Sequence, residues 1–398
     1  MGSFGRFWCR RSAADFDPRF EISDLLPMEE SLTTNPTSLA PAPSSSFVLG
    51  VDVGGANLKS VLINQQTQEA TAWESFFPMW KRPESLAEQL RSDWASLLAD
   101  SRTDADSTDG IAVTMTGELA DCFTDRQHGV THIAQHVQSA AKQLSRRAEI
   151  AFYSTAGKFI GMHSVPTEVD ALAASNWHAL ASWAATHVTN DGILIDVGST
   201  TTDIIPLQNG RVATNAKTDH QRLRDGSLVY IGCRRTPVCS LVDRLLIDGM
   251  EVPIMNEFFA TIDDARLILQ QQPELPEDLD SADGRPRDRA SAHRRIAKMV
   301  GWDANELSSA QADSVSQQII GSAQTQIDQS LQRWMKRLGE QANEGMTLLL
   351  SGHGQDLITR TSTCKTIDLR DRLTPEVSRS APAFAVARLW LDTAREVR

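Results

Sequence analysis

The chain has 398 residues, 41% hydrophobic and 23% charged, with a formal net charge of −12. That length and apolar content suit a folded protein with a sizeable core and two lobes, and the acidic balance argues against nucleic acid as a partner. No apolar run reaches the roughly 18–20 residues that a bilayer-spanning helix needs, and the arginine-containing start lacks the apolar segment of a signal peptide.

Five cysteines (Cys9, Cys122, Cys233, Cys239 and Cys364), an odd number without CxxC spacing, argue against a disulfide framework or a structural zinc site. The expected setting is a reducing cytoplasm, with no membrane partner.

Residues 1–46, rich in Ser, Pro and Thr, are expected to form a disordered tail. An apolar strand then ends in Asp52, turns through Gly54-Gly55-Ala56-Asn57 and continues as a second apolar strand. Leu86, Leu90, Trp94 and Leu97 predict a helix over 84–99. A short buried strand over 111–115 delivers Thr116-Gly117-Glu118-Leu119-Ala120-Asp121 to a strand end. A helix over 132–147, a strand over 150–153 and one long helix over 170–188 follow. A second hairpin opens at Gly192, and acidic, proline-containing residues 273–287 form a loop. Helices are predicted near 289–300, 303–306 and 314–339. A strand over 347–350 runs into Ser351-Gly352-His353-Gly354, and a helix over 382–396 closes the chain. Alternating strands and helices indicate an α/β layered fold. The boundaries expected are a first lobe over 47–190, completed by 378–398, and a second over 191–377.

The two hairpins are the only internal repeat. Asp52-Val53-Gly54-Gly55 and Asp196-Val197-Gly198-Ser199 each put a carboxylate at the base of a Gly-rich tip. Asp52 and Asp196 are the candidate Mg²⁺ ligands, because hard cations take oxygen donors. Gly54, Gly55, Asn57, Gly198, Ser199, Thr200 and Thr201 are the candidate phosphate cradle. Lys59 and Asp203 occupy equivalent places in the two hairpins, the first as a phosphate contact and the second as a base or metal-shell residue. Ordinary turn chemistry would account for either hairpin alone. Neither matches the G-x-x-x-x-G-K-[ST] phosphate loop.

Gly352 and Gly354 would let the backbone pass close to a ligand, and Glu118 and Asp121 are candidate acid/base or amine-positioning groups. Arg234-Arg235 and the cluster Arg285, Arg287, Arg289, Arg294 and Arg295 are candidate anion clamps, with a solvated helix face as the plain alternative for the latter.

In these hairpins and in Ser351-Gly352-His353-Gly354, the chain resembles the actin, sugar-kinase and Hsp70 ATPase superfamily. Asp196-Val197-Gly198-Ser199-Thr200-Thr201-Thr202-Asp203 is similar to the hydantoinase A/oxoprolinase branch. Thr116-Gly117-Glu118-Leu119-Ala120-Asp121, Arg234-Arg235-Thr236-Pro237, Asn256-Glu257-Phe258-Phe259 and Asp283-Gly284-Arg285-Pro286 resemble proteins of tetrahydromethanopterin-linked one-carbon metabolism, a group that includes a synthase of methanofuran biosynthesis. The resemblance covers about residues 47–395. It implies a two-lobed actin-like ATPase (ribonuclease H-like) fold with duplicated phosphate-binding β-hairpins. It also implies a transferase that joins an aminomethylfuran methyl diphosphate to γ-glutamyltyramine and releases diphosphate.

On that implication Mg²⁺ is the cofactor and the partners are small molecules; assembly of identical chains is compatible with it. The catalytic set would be Asp52, Asp196, Asp203, Glu118 and Asp121, with Arg235 and Arg285 receiving the γ-glutamyl end. The competing expectations are an ATP-dependent kinase or hydantoinase-type amidohydrolase, and a noncatalytic nucleotide-binding regulator.

Overall fold

The structure, a computed structural model, describes residues 46–145, 147–339, 346–359 and 364–396; the expected tail lies outside them except for Ser46. Strands β1 (Phe47–Val53), β2 (Asn57–Asn64), β3 (Ala70–Phe76), β4 (Thr108–Met115), β5 (Glu149–Tyr153) and β6 (Phe159–Gly161) form one sheet in the order β3-β2-β1-β4-β5-β6. β1 runs antiparallel to β2 and parallel to β4, which is parallel to β5.

A second sheet contains β7 (Gly192–Val197), β8 (Thr202–Gln208), β9 (Arg211–Val212) and β10 (Leu228–Val229). β11 (Arg244–Ile247) and β12 (Met250–Pro253) make a separate ribbon, and β13 (Thr347–Gly352) and β14 (Lys365–Asp368) return to the second sheet. Its order is β10-β8-β7-β13-β14, with β9 on β8. The run β8-β7-β13-β14 repeats β2-β1-β4-β5: an antiparallel hairpin, then two parallel neighbours. The central strands are apolar on both faces because helices cover both.

The helices are α1 (Leu86–Asp100), α2 (Arg126–Leu144), α3 (Val169–Leu172), α4 (Asn176–His187), α5 (Asp219–Asp225), α6 (Val238–Leu241), α7 (Ile262–Ile268), α8 (Arg289–Lys298), α9 (Ser309–Leu338), α10 (Pro375–Arg379) and α11 (Ala381–Glu396). Leu86, Leu90, Trp94 and Leu97 of α1 pack with Ile133 and Val137 of α2 against Val51 and Val113. α7, α8 and α9 bury Ile262, Ile296 and Ile319 with Ile193 and Leu348 of the second sheet. Between the sheets, Trp177 and Leu180 of α4 and Ala383 and Phe384 of α11 share one core with Val48, Ile63, Leu194 and Leu349. α11 lies directly on β1, since a Cβ at Gly50 would fall 2.0 Å from the Ala383 carbonyl oxygen. All described residues belong to one compact unit.

Capping chemistry moved several helix starts from their expected places. α2 begins at Arg126 because the Asp125 side chain accepts from His128 N–H, and α9 begins at Ser309 because Ser308 and Gln311 form a capping box. The single helix expected over 170–188 is two, broken at Ala174, which has φ 46. Glu118 takes the Ala174 N–H at 2.9 Å, so a carboxylate from another element satisfies the interrupted backbone. Residues 303–306 form a turn rather than a helix.

Candidate active site

Both hairpin tips close in the same way. Gly54 N–H donates to the Asn57 carbonyl at 3.0 Å, and Gly198 N–H donates to the Thr201 carbonyl at 2.9 Å. The register places Asp52 opposite Lys59 and Asp196 opposite Asp203, so the sequence equivalence of Lys59 and Asp203 is a structural one. The second tip is braced from behind. The Gly198 carbonyl accepts from Cys233 N–H at 2.9 Å, and the Ser199 carbonyl accepts from Arg234 and Arg235 N–H at 3.1 and 2.8 Å.

Both hairpins line one cavity of about 490 Å³. Asp52, Gly54, Gly55, Asn57 and Lys59 come from the first, and Asp196, Gly198, Ser199, Thr200, Thr201 and Asp203 from the second. Gly352, at φ 84, completes the floor. A Cβ there would sit 2.2 Å from the Val197 carbonyl oxygen and 2.8 Å from Asp196 Oδ1, so only glycine lets β13 pass this close to the carboxylate.

Burial dominates the electrostatics. Asp52 is 6% exposed, and its Oδ1 has no partner. Burial pushes its carboxyl up to about 6; Lys59 opposes the shift and Asp196 adds to it. Asp196 is likewise pushed up to about 6 by burial first and by Asp203 second. Two adjacent, desolvated carboxyls, one with an orphaned oxygen, form an all-oxygen donor set that fits Mg²⁺.

The remaining expected residues divide. Asp121 and Arg235 line the cavity. Lys59 lines it too, but its Nζ donates to the Arg379 carbonyl at 2.7 Å and lies 3.8 Å from Glu74. Asp203 is paired with buried Arg222, whose guanidinium stacks 4.1 Å over the Trp177 ring. Glu118 lies behind the wall, 2% exposed, and burial raises its carboxyl to about 7. Gly354 is also behind the site: its N–H donates to the Val197 carbonyl at 3.1 Å, and it packs on Cys233.

Arg285 does not reach the cavity. Its side chain is 60% exposed beside Asp283, 3.8 Å away on the same loop. The basic cluster around it is not an anion clamp, because its buried members already have carboxylates. Arg287 pairs with Asp263 at 2.7 Å and Asp278 at 2.9 Å, and Arg295 pairs with Asp264 at 2.7 Å and Asp283 at 2.9 Å. These pairs fasten loop 273–288 to α7. Arg234 and Arg235 extend the network through Asp278 and Asp280.

Sequence reasoning missed the rim. Trp80, Leu119 and Tyr230 line the cavity while 37%, 54% and 63% exposed, and the Arg235 guanidinium lies 5.7 Å from the Trp80 ring centroid. Exposed large apolar side chains gathered around a polar floor were the signal, but it exists only once the chain is folded.

The sequence profile of the hydantoinase/oxoprolinase family matches residues 109–393. A protein of Methanocaldococcus jannaschii, the (4-{4-[2-(gamma-L-glutamylamino)ethyl]phenoxymethyl}furan-2-yl)methanamine synthase, is 29% identical over 344 residues, covering 86% of this chain and 97% of its own. The synthase of the same name from Methanococcus vannielii is 29% identical over 214 residues, covering 52% of this chain and 94% of its own. Among solved structures, nucleotide-free acetone carboxylase aligns with a TM-score of 0.51 at 10% identity, over 86% of this chain and 70% of that one. That likeness concerns the fold alone, which is the two-sheet α/β fold of the actin-like ATPases.

Proposed function

We propose, from the premise that this chain belongs to the hydantoinase/oxoprolinase family, that it is a transferase. It would join (5-(aminomethyl)furan-3-yl)methyl diphosphate to γ-glutamyltyramine as an aryl ether and release diphosphate. The observation that carries the reading is the single cavity in which two Gly-rich hairpin tips and the carboxylates Asp52 and Asp196 meet beneath an aromatic rim. The name of the archaeal relatives describes an ether product in which a γ-glutamylaminoethyl phenol is joined to a furan methanamine; the diphosphate leaving group is our reading of the paired hairpin tips.

The tip residues Gly54, Gly55, Asn57 and Gly198 to Thr201 would hold the diphosphate with backbone N–H and hydroxyl donors. Asp52 and Asp196 would hold Mg²⁺, which when bound offsets charge on a departing diphosphate. Tyr230 offers a face for the furan ring, Trp80 one for the phenol ring, and Arg235, beside Trp80, a cation for the γ-glutamyl carboxylate.

The phenol oxygen bonds to the furanylmethyl carbon, the bond from that carbon to the diphosphate oxygen breaks, and the phenol proton passes to a carboxylate. A base matters because a phenol of pKa about 10 is protonated at neutral pH. Asp121 is the candidate: it lines the cavity and makes no hydrogen bond or ion pair with a described residue. Asp203 is engaged by Arg222 and Glu118 is turned to Ala174.

Oxygen-18 in the phenol hydroxyl tests the direction of attack. Retention of the label in the ether is expected; its recovery as the bridging oxygen of an aryl phosphate ester would mean that the phenol oxygen attacks phosphorus instead, as in a kinase.

A further inference from the structure

A second cavity, of about 790 Å³, shares no lining residue with the first. α4, the β5–β6 turn, β9 and the last turns of α11 wall it, so both sheets contribute. Its volume is that of a small-molecule site.

The buried end is a closed polar triangle. Tyr153 Oη donates to Ser182 Oγ at 3.1 Å, and both oxygens lie near His178 Nδ1, at 3.0 and 3.2 Å. We assign Nδ1 as acceptor of the Ser182 hydroxyl proton, in the relay Tyr153 to Ser182 to His178, which puts the ring proton on Nε2. Tyr153 and His178 are 2% and 6% exposed, yet the Nε2–H has no partner among the described residues. Burial pushes His178 down to about 3 and Tyr153 up to about 12, so both stay neutral near pH 7. With its Nδ1 side closed by the two hydroxyls, the triangle presents a fixed imidazole edge to the cavity, a group suited to binding.

The rest of the lining defines the ligand. The Arg211 guanidinium makes no hydrogen bond or ion pair with any described residue. The acid on the wall, Asp392, faces His187 at 3.2 Å. Phe159, Val212 and Leu389 supply apolar surface. An N–H donor, an unpaired guanidinium and an apolar wall complement an anion with an apolar body.

We propose that this cavity binds a small organic carboxylate, its charge received by Arg211 and the His178 N–H and its body lying against Phe159 and Leu389. Because the walls come from both sheets, an occupant touches both of them.

The probe is 3-phenylpropionate, titrated by calorimetry into the full chain with saturating Mg²⁺ and diphosphate present to fill the hairpin cavity. Saturable binding below about 1 mM is expected, weakened about tenfold or more by Arg211→Gln, by His178→Phe and by replacing the probe with 3-phenylpropionamide. Arg211 is exposed, so its variant remains informative should His178→Phe fail to fold. Three results would each overturn the proposal: no saturable binding up to about 10 mM with or without diphosphate, meaning a cavity for water alone; binding indifferent to Arg211→Gln; or binding seen only when diphosphate is left out, which would place the probe in the hairpin cavity.

Discussion

Replacing Asp52 by Asn should stabilise the fold while abolishing its response to Mg²⁺. The carboxyl is pushed from 3.8 to about 6, burial outweighing the attraction of Lys59. A shift of about two units corresponds to about 3 kcal/mol. The folded chain holds this proton more tightly than the unfolded one. The proton-linked stability is therefore fully present below about pH 4 and is lost as pH rises through about 6. Asn carries no charge to desolvate and keeps the shape. Part of the shift is shared with Asp196, so the expected gain at pH 7.5 is about 1–3 kcal/mol.

Urea denaturation without divalent cation, at pH 5 and pH 7.5, measures it. The variant's advantage should grow with pH. Mg²⁺ should raise the urea midpoint of the wild type by mass action and leave the variant unmoved. A variant less stable than wild type at pH 7.5 without Mg²⁺, or one stabilised equally by Mg²⁺, would refute the reasoning.

Gly50→Ala places a methyl 2.0 Å from the Ala383 carbonyl oxygen and 2.8 Å from Ala387 Cβ, so β1 and α11 must separate. A loss of about 3 kcal/mol is expected in urea denaturation, and a loss under about 1 kcal/mol would contradict the packing. Arg295→Ala strands Asp264 in the core and should cost about 3–5 kcal/mol, whereas Arg285→Ala, on an exposed side chain, should stay within about 0.5 kcal/mol and leave substrate affinity unchanged. Trp80→Ala should raise KM for the phenolic acceptor about tenfold with kcat held within about twofold; equal effects on both substrates' KM would detach Trp80 from the acceptor.

The hairpins were legible because their signal is local: apolar runs ending in Asp-Val-Gly are strand and turn chemistry within a dozen residues. Their duplication also foretold the two matching sheets. The distal pieces were legible only in part. Gly352 was singled out at a strand end, and its φ of 84 beside Asp196 explains why glycine stands there. Arg285 and Glu118 misled for opposite reasons. A run of arginines reads the same whether it awaits a ligand or is consumed by Asp263, Asp264, Asp278 and Asp283, which are identified as partners only by folding. Glu118 reads as an exposed acid after a strand, but it is turned inward to the N–H of Ala174, and its bond accounts for the helix break that periodicity could not show. The rim formed by Trp80, Leu119 and Tyr230 is assembled from segments distant in the chain, beyond any local pattern.

The most direct test of the central claim is to incubate the purified chain with Mg²⁺, the aminomethylfuran methyl diphosphate and γ-glutamyltyramine, without ATP, and to quantify ether by mass spectrometry beside released diphosphate. The account predicts ether and diphosphate in equal amounts, with both lost in Asp196→Ala. No ether without ATP, together with substrate-dependent ADP release when ATP is added, would contradict it.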